Sequence, residues 1–322
     1  MTNPEEPMSA TNTGDEADVE TVTRVVGRIR ANVDGTKHAM QLGVAVKAGC
    51  FHHVSSIAAA GLYPGVFKED MFDEAEGLDD PYFRTKHDSE GMVRREYPRP
   101  YRIYRPAIVL GHSQTGEIDK IDGPYYFFRL IKRMRALLPQ WVPTIGIEGS
   151  RLNMVPVDYV ADAMDWIAHK PGLDGHCFHL TDPAPQRVGE ALNTFARAAN
   201  APQMTMRVDA RMFAFVPPMV RGAIFNLPPV KRFTNMMLRD LGIPRQVLKY
   251  INYPTRFDSR ETERALKGSK IKLPKLESYA WRLWDYWERH LDPDLFIGRS
   301  LSGEVQGSTV LHTGGASGIG HA

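Results

Sequence analysis

The sequence predicts an α/β protein built on a parallel sheet. Short apolar runs alternate with stretches of helical periodicity along most of the chain. The 322 residues are 43% hydrophobic and 24% charged, a balance that can bury a core and keep a wettable surface. No apolar run approaches the roughly 20 residues that span a bilayer.

Taken in order, residues 1–30 read as a leader rich in Thr, Asn, Pro and acids, disordered to about Asp18, followed by a short helix from Thr21 to Ile29. Asn32 to Lys47 reads as a helix with apolar Val33, Met40 and Val44, and Phe51 to Val54 as a strand. Gly65 to Asp80, with Glu69, Asp70, Asp73, Glu74, Glu76, Asp79 and Asp80, reads as a solvated loop or, alternatively, a binding element. A helix over 81–96 and a buried strand from Tyr101 to Ile108 follow. Asp122 to Leu138 is an aromatic-rich helix whose Tyr125, Tyr126, Phe127 and Phe128 suit core packing. Asp158 is placed to cap a helix running through His169. Cys177 to Leu180 is a strand, and a helix runs from about Val188 to Ala199.

Residues 201–300 read as a mostly helical region. Its apolar stretch from Met204 to Leu227 is interrupted by Pro217 and Pro218, which forbid one long helix, and is interleaved with Arg207, Arg211 and Arg221. Such cation-rimmed apolar surface suits a packed hairpin, a pocket for an anionic acyl carrier, or contact with a membrane surface. Asp258-Ser259-Arg260-Glu261 resembles a capping box ahead of a helix from Arg260 to Leu266. Tyr279 to His290, with Trp281, Trp284 and Trp287 as packing residues, closes the region.

The chemistry is concentrated in Tyr82-Phe83-Arg84-Thr85-Lys86. One helical turn apart, Tyr82 and Lys86 share a face, and the ammonium favours the phenolate, drawing the tyrosine down from its ordinary pKa of about 10. Tyr82 then becomes a usable proton donor. Ser55 and Ser56, presented where the Phe51-His52-His53-Val54 strand ends, are candidates to hold a carbonyl oxygen.

These residues stand in a longer ordered set: Asn32-Val33-Asp34-Gly35-Thr36, Val54-Ser55-Ser56 through Gly61, Tyr82 and Lys86, Arg105-Pro106-Ala107-Ile108-Val109-Leu110-Gly111, and Val155-Pro156-Val157-Asp158. The set resembles the second half of an extended short-chain dehydrogenase/reductase, in particular the reductase domain of actinobacterial multifunctional acyl-CoA or thioester reductases. The resemblance implies a Rossmann-like parallel sheet that is incomplete, its cofactor-binding first half missing. No strand, Gly-x-x-Gly-x-x-Gly turn and helix precede Asn32. Residues 31–200 would be the C-terminal half of that domain and 201–300 its substrate side. Residues 301–322 would be a linker and the start of a truncated second domain, since Thr313-Gly314-Gly315-Ala316-Ser317-Gly318-Ile319-Gly320 resembles a Thr-Gly-x-x-x-Gly-x-Gly cofactor turn.

By the same resemblance, Ser56 or Ser55 would hold the carbonyl oxygen, Tyr82 donate the proton, Lys86 also bind the nicotinamide ribose, and Asn32 support a proton relay. Pro106 and Ile108 would line the carboxamide, and the aromatic helix from Asp122 would wall an acyl chain. The implied reaction is reduction of a fatty acyl-CoA or related thioester to an aldehyde or alcohol with NADPH, NADH remaining open. An epimerase or dehydratase, a hydroxysteroid-type dehydrogenase, and an inactive fragment or interaction module that needs a complementing half are the alternatives.

With 40 basic and 38 acidic residues and no basic block, nucleic acid is not an expected partner. Adjacent His52 and His53 point to opposite faces of a strand and cannot chelate one metal together. Two cysteines, Cys50 and Cys177, read as buried thiols of a reduced, cytoplasmic protein. The lipid-like small-molecule substrate is the partner expected. Because the pyrophosphate-binding turn is not found ahead of Asn32, the chain alone is expected to bind neither NADH nor NADPH, and to bind once that half is supplied. Calorimetry tests this, and micromolar binding by the chain alone overturns it.

Overall fold

The computed structural model describes residues 26–27, 29–119, 121–209 and 253–295. The leader, most of the apolar stretch from Met204 to Leu227 and the Gly-rich segment from Thr313 lie outside them. A π-helical turn, Ile29–Asp34, leads into α1 (Gly35–Ala45), so the expected single helix from Asn32 is divided. Then come β1 (Phe51–Val54), a 3-10 turn (Ile57–Ala60), β2 (Gly65–Phe67) and α2 (Pro81–Glu96). After β3 (Tyr101–Pro106) and β4 (Ile108–Leu110), a 3-10 turn (Gly123–Phe127) opens α3 (Phe128–Leu137), where one helix from Asp122 was expected. β5 (Thr144–Glu148), β6 (Met154–Pro156), α4 (Val157–His169), β7 (Cys177–Leu180), α5 (Val188–Ala198) and β8 (Met204–Asp209) follow. β9 (Thr255–Phe257), α6 (Arg260–Leu266), α7 (Leu276–His290) and a 3-10 turn (Pro293–Leu295) complete the described chain.

Every strand pairing among these is parallel, which forces crossover connections and the α/β alternation. A three-stranded sheet ordered β1-β3-β7 forms the centre, and β2-β9, β4-β6 and β5-β8 are separate pairs. Phe51 lies opposite Tyr101, and Ile103 opposite Cys177. The middle strand is buried on both faces, as parallel strands usually are. Tyr104 and Phe178 pack on Val160, Ala163 and Ile167 of α4, whereas Ile103 packs with Met40, Val93 and Tyr97 from the α1–α2 side. A third cluster joins Tyr125 and Phe128 to Phe195, Trp284 and Trp287, so the aromatic helix is core packing at those positions; Trp281 is 52% exposed instead.

The strand read as continuous from Tyr101 to Ile108 breaks at Ala107. Pro106 carries no amide for the ladder. Ala107 donates to the Leu180 carbonyl at 3.1 Å, and Ile108 to the Asn153 carbonyl at 3.2 Å. From there the run pairs with β6, Ile108 opposite Met154. One apolar run thus serves two sheets.

β1 has β3 as its strand neighbour among the described residues. The Phe51 and Ser55 amides donate to the Pro100 and Tyr104 carbonyls at 2.9 and 2.8 Å, which turns the backbone groups of His52 and Val54 to the opposite edge.

Two acidic residues depart from expectation. Glu69, expected in solvent, is 4% exposed, and its segment follows a strand paired with β9. Its carboxylate accepts the His179 amide at 2.8 Å, the Glu261 amide at 2.6 Å, the Thr262 amide at 3.0 Å and the Thr262 hydroxyl at 2.5 Å. Glu69 therefore caps α6 from a distance, and Ser259 makes no side-chain cap bond. Asp158 is not the N-cap of α4, a position held by Pro156. Its carboxylate accepts the Ser113 amide at 2.9 Å and the Ser113 hydroxyl at 2.5 Å. Cys177 is buried as expected, but Cys50 is only partly so.

The sheet and α2 are held together by a buried ion pair. Arg105 of β3 and Glu90 of α2 both have fully buried side chains, and the guanidinium donates to Glu90 Oε1 at 2.6 Å and Oε2 at 3.0 Å. Arg105 also donates to the Met71 carbonyl at 2.9 Å and, through Nη1, to His179 Nε2 at 3.1 Å. His179 must therefore be neutral at Nε2, with Nδ1–H donating to the Asp258 carbonyl at 2.7 Å. Burial alone would push Glu90 up, but Arg105, helped by Arg94 and the Ser55 hydroxyl, holds it at about 2. Arg105→Leu, which strands the carboxylate, is expected to cost about 3–5 kcal/mol and lower the melting midpoint by roughly 5–15 °C. The double variant Arg105→Leu/Glu90→Leu should recover more than half of that loss, measured by calorimetric melting.

Candidate active site

α2 begins where the sequence says it should. Pro81 occupies the first turn, and Asp80 accepts the Tyr82 amide at 2.9 Å. That start sets the phase of the helix, so Tyr82, Lys86, Glu90 and Arg94 recur at one-turn steps. Tyr82 and Lys86 are both half-buried. Burial lowers the Lys86 pKa, and among the described residues its Nζ makes no hydrogen bond or ion pair. A partly desolvated, uncommitted ammonium is suited to a hydroxyl or phenolate brought to it.

The two serines at the end of β1 have different surroundings. Ser55 is 2% exposed and donates to Glu90 Oε2 at 2.6 Å, so its proton is directed into the core. Ser56 is half-buried and caps the 3-10 turn by accepting the Ala58 amide at 3.1 Å. Its own O–H is left to donate. The turn is pinned to α2, because His87 Nδ1 lies 3.0 Å from the Ala59 carbonyl oxygen. Gly61 closes it at φ 62°, where a Cβ would fall 2.0 Å from the Glu76 carbonyl oxygen.

Asn32 stands in the π-helical turn and donates from Nδ2 to Thr85 Oγ1 at 3.0 Å, on the residue just before Lys86. Asn32 is thus tied to the Tyr82 helix through Thr85. Pro106 ends β3, at the same end of the sheet as Ser55 and Ser56. Ile108 belongs to β4 in the adjoining pair, so it is not on the central sheet with Pro106. Two clefts, about 330 Å³ beside Ser113, Asp158 and Lys270 and about 540 Å³ beside Lys68, Arg94 and Arg264, have neither Tyr82 nor Lys86 in their walls.

Glu90, Arg105 and His53 were not singled out as site residues from sequence. Glu90 continues the Tyr82–Lys86 step by one more turn, and Arg105 is a charge inside an otherwise apolar strand; together those signals could have paired them. His53 is 7% exposed on the α2 face of β1.

The residues present fit the ribose and carboxamide end of a nicotinamide dinucleotide: an uncommitted Lys86 ammonium, Tyr82, and Pro106 at the carboxyl end of the sheet, where ligands of open α/β sheets bind. Among the described residues, no glycine-rich turn between a strand and a helix offers the pyrophosphate a seat.

A family model described as male sterility protein, an NAD-binding group, matches residues 16–164. Of the curated proteins, the chain is 28% identical, over 77% of its length, to the nonribosomal peptide synthetase FrzA of Cladobotryum sp, of which it spans 24%. It is 30% identical, over 52% of its length, to the synthetase hkm10 of Aspergillus hancockii, of which it spans 17%. It is 29% identical, over 48% of its length, to the aldehyde reductase lnbA of Aspergillus flavus, of which it spans 16%. The chain thus covers a quarter or less of these relatives. Among solved structures, the terminal R domain of a myxalamid PKS-NRPS pathway superposes with a TM-score of 0.59 at 23% identity, over 81% of this chain and 64% of that one. The thiolation-reductase di-domain of an archaeal nonribosomal peptide synthetase gives 0.56 at 16%, over 82% and 53%. These two likenesses are of fold. With the family match over residues 16–164 and the curated relatives, they show a chain similar to NAD-binding reductases, with a fold like that of thioester reductase domains.

Proposed function

We propose that this chain provides the substrate-activating side of a reductase that takes an acyl thioester, of a fatty acyl-CoA or a related carrier, to an aldehyde and onward to an alcohol, with NADPH preferred. The observation that carries the reading is Tyr82 and Lys86 one turn apart on α2, with the Ser56 hydroxyl on a turn pinned to that helix through His87 and Ala59.

Ser56 donates its free O–H to the thioester carbonyl oxygen and polarises it. The nicotinamide, when bound, supplies hydride to the carbonyl carbon. Tyr82 gives its proton to the oxygen as charge develops there, and Lys86 stabilises the phenolate left behind. The resulting hemithioacetal loses its hydroxyl proton and expels the thiolate, which is protonated to the thiol, leaving the aldehyde. Reduction of the aldehyde to the alcohol takes a second hydride, from a second reduced cofactor, and a second proton, from reprotonated Tyr82.

The edge of β1 that has no strand partner among the described residues, with the backbone groups of His52 and Val54 turned toward it and Val54 46% exposed, supports a second element of the reading. A further parallel strand, carried by a segment with the pyrophosphate-binding turn, is proposed to pair there. The two free cysteines suit a reducing compartment.

On the form that binds cofactor, Tyr82→Phe is expected to lower kcat by about 10²–10⁴-fold with cofactor affinity nearly unchanged. Retention of more than roughly a tenth of the turnover removes Tyr82 from the proton-donor role. Ser56→Ala is expected to reduce kcat by about 10²-fold. Ser55→Ala, which empties a hydrogen bond to buried Glu90, should mainly lower the melting midpoint. Steady-state kinetics alongside thermal melts separate the two serines, and a larger kcat loss for Ser55→Ala would reverse the assignment.

A further inference from the structure

The turn that carries Ser56 is tied to α2 where His87 Nδ1 lies 3.0 Å from the Ala59 carbonyl oxygen. One such tie fixes how far the turn stands from the helix but leaves it able to pivot. A second attachment arrives from a distant part of the chain. Tyr253 donates its hydroxyl to the Gly61 carbonyl at 2.6 Å, and Gly61 is the buried residue that closes the turn. The ring of the same tyrosine meets buried Phe83 edge to face, with centroids 6.2 Å apart. Phe83 and His87 are one helical turn apart and share a face of α2, so the two attachments follow one line along the helix. Two fixed points on one face remove the pivot.

Tyr253 is itself held from its own side. Thr255, buried at the start of β9, donates its hydroxyl to the Tyr63 carbonyl at 2.7 Å and stands opposite Gly65 of β2. The Tyr253 ring also stacks on Phe257 at 6.2 Å with the planes 22° apart, and Phe257 meets His179 of the Arg105–Glu90 network at 5.5 Å. A ring already ordered by its neighbours loses little further rotamer freedom in holding two more groups. We propose that Tyr253 is a positioning residue of the reductase site: it holds the Ser56 turn against the first turn of α2 and so fixes the Ser56 hydroxyl relative to Tyr82, the residue before Phe83. It acts through Ser56 and touches no reacting atom. The region read as the substrate side, to which Tyr253 belongs, is thereby fastened to the carbonyl-holding turn.

The proposal rests on the reductase reading, and one arm of its test does not use turnover. Tyr253→Phe removes a single oxygen and keeps the ring. Hydrogen exchange of residues 57–62 is expected to quicken about 3-fold or more in this variant, with the melting midpoint close to that of the wild type. Unchanged exchange overturns the contact. On the form that binds cofactor, kcat is expected to fall about 3–10-fold with KM for thioester and for cofactor nearly unchanged. Added to Ser56→Ala, Tyr253→Phe should cost nothing further, because the group it positions is gone. An equal kcat loss in both backgrounds makes the effect general to the fold and overturns the proposal. Tyr253→Leu, which also takes the ring from Phe83, is expected to lose more kcat than Tyr253→Phe, and equal losses overturn the part given to Phe83. Quickened exchange beside full turnover of Ser56→Ala would place the failure with the reductase reading. The expected Ser56→Ala loss beside unaltered Tyr253→Phe kinetics overturns this proposal alone.

Discussion

The Arg105–Glu90 pair is the constraint on which the other features of the fold rest. A guanidinium and a carboxylate with no exposed surface can coexist only if their hydrogen-bonding positions are filled, since a lone buried charge costs several kcal/mol. Filling them recruits a residue from each surrounding layer: Ser55 from the end of β1, Arg94 from α2, the Met71 carbonyl from the loop after β2, and His179 from β7. Through His179 the network reaches the Asp258 carbonyl at the mouth of α6. Moving any of these elements relative to the sheet would leave a polar group without water and without a partner.

This network also divides labour at the candidate site. By turning the Ser55 hydroxyl inward it makes that serine a fastening, and the next residue, Ser56, carries the hydroxyl that can address a ligand. The same helix that holds Glu90 in the core presents Tyr82 and Lys86 nearer its amino end, so the depth and phase of the reactive pair are set by a salt bridge one to two turns away. Asn32 adds a second tether through Thr85, a buried residue on that helix. Preorganisation of this kind lets a proton donor act without being rearranged at the moment of reaction.

Much of this was legible because the relevant signals are local. Pro81 behind Asp80 announces the start of α2, and the apolar runs from Phe51 and from Cys177 announce strands with the observed bounds. What escaped depends on partners distant in the chain. An acidic stretch such as Gly65 to Asp80 looks solvated residue by residue, and nothing within it reveals that Glu69 meets Thr262. Asp158 has the composition of a cap, yet Ser113 reaches its carboxylate from another loop. The break at Ala107 is invisible in hydrophobicity, since both halves of the run are apolar, and only Pro106 hints at it.

Glu69 has a consequence for the order in which the molecule can be completed. The amide it caps lies 193 residues further along the chain, and α6 has no side-chain cap of its own at Ser259. On a ribosome adding about 5–20 residues per second, that stretch takes roughly 10–40 s to appear. Throughout that interval the carboxylate has no helix to close, and the β7 flank that it will share with α6 stands unfinished. The nascent protein therefore passes through a long stage in which its earlier strands are made but their outer margin is not sealed. Whatever stabilises the early half during synthesis has to act for tens of seconds, far longer than the microseconds in which its individual helices form.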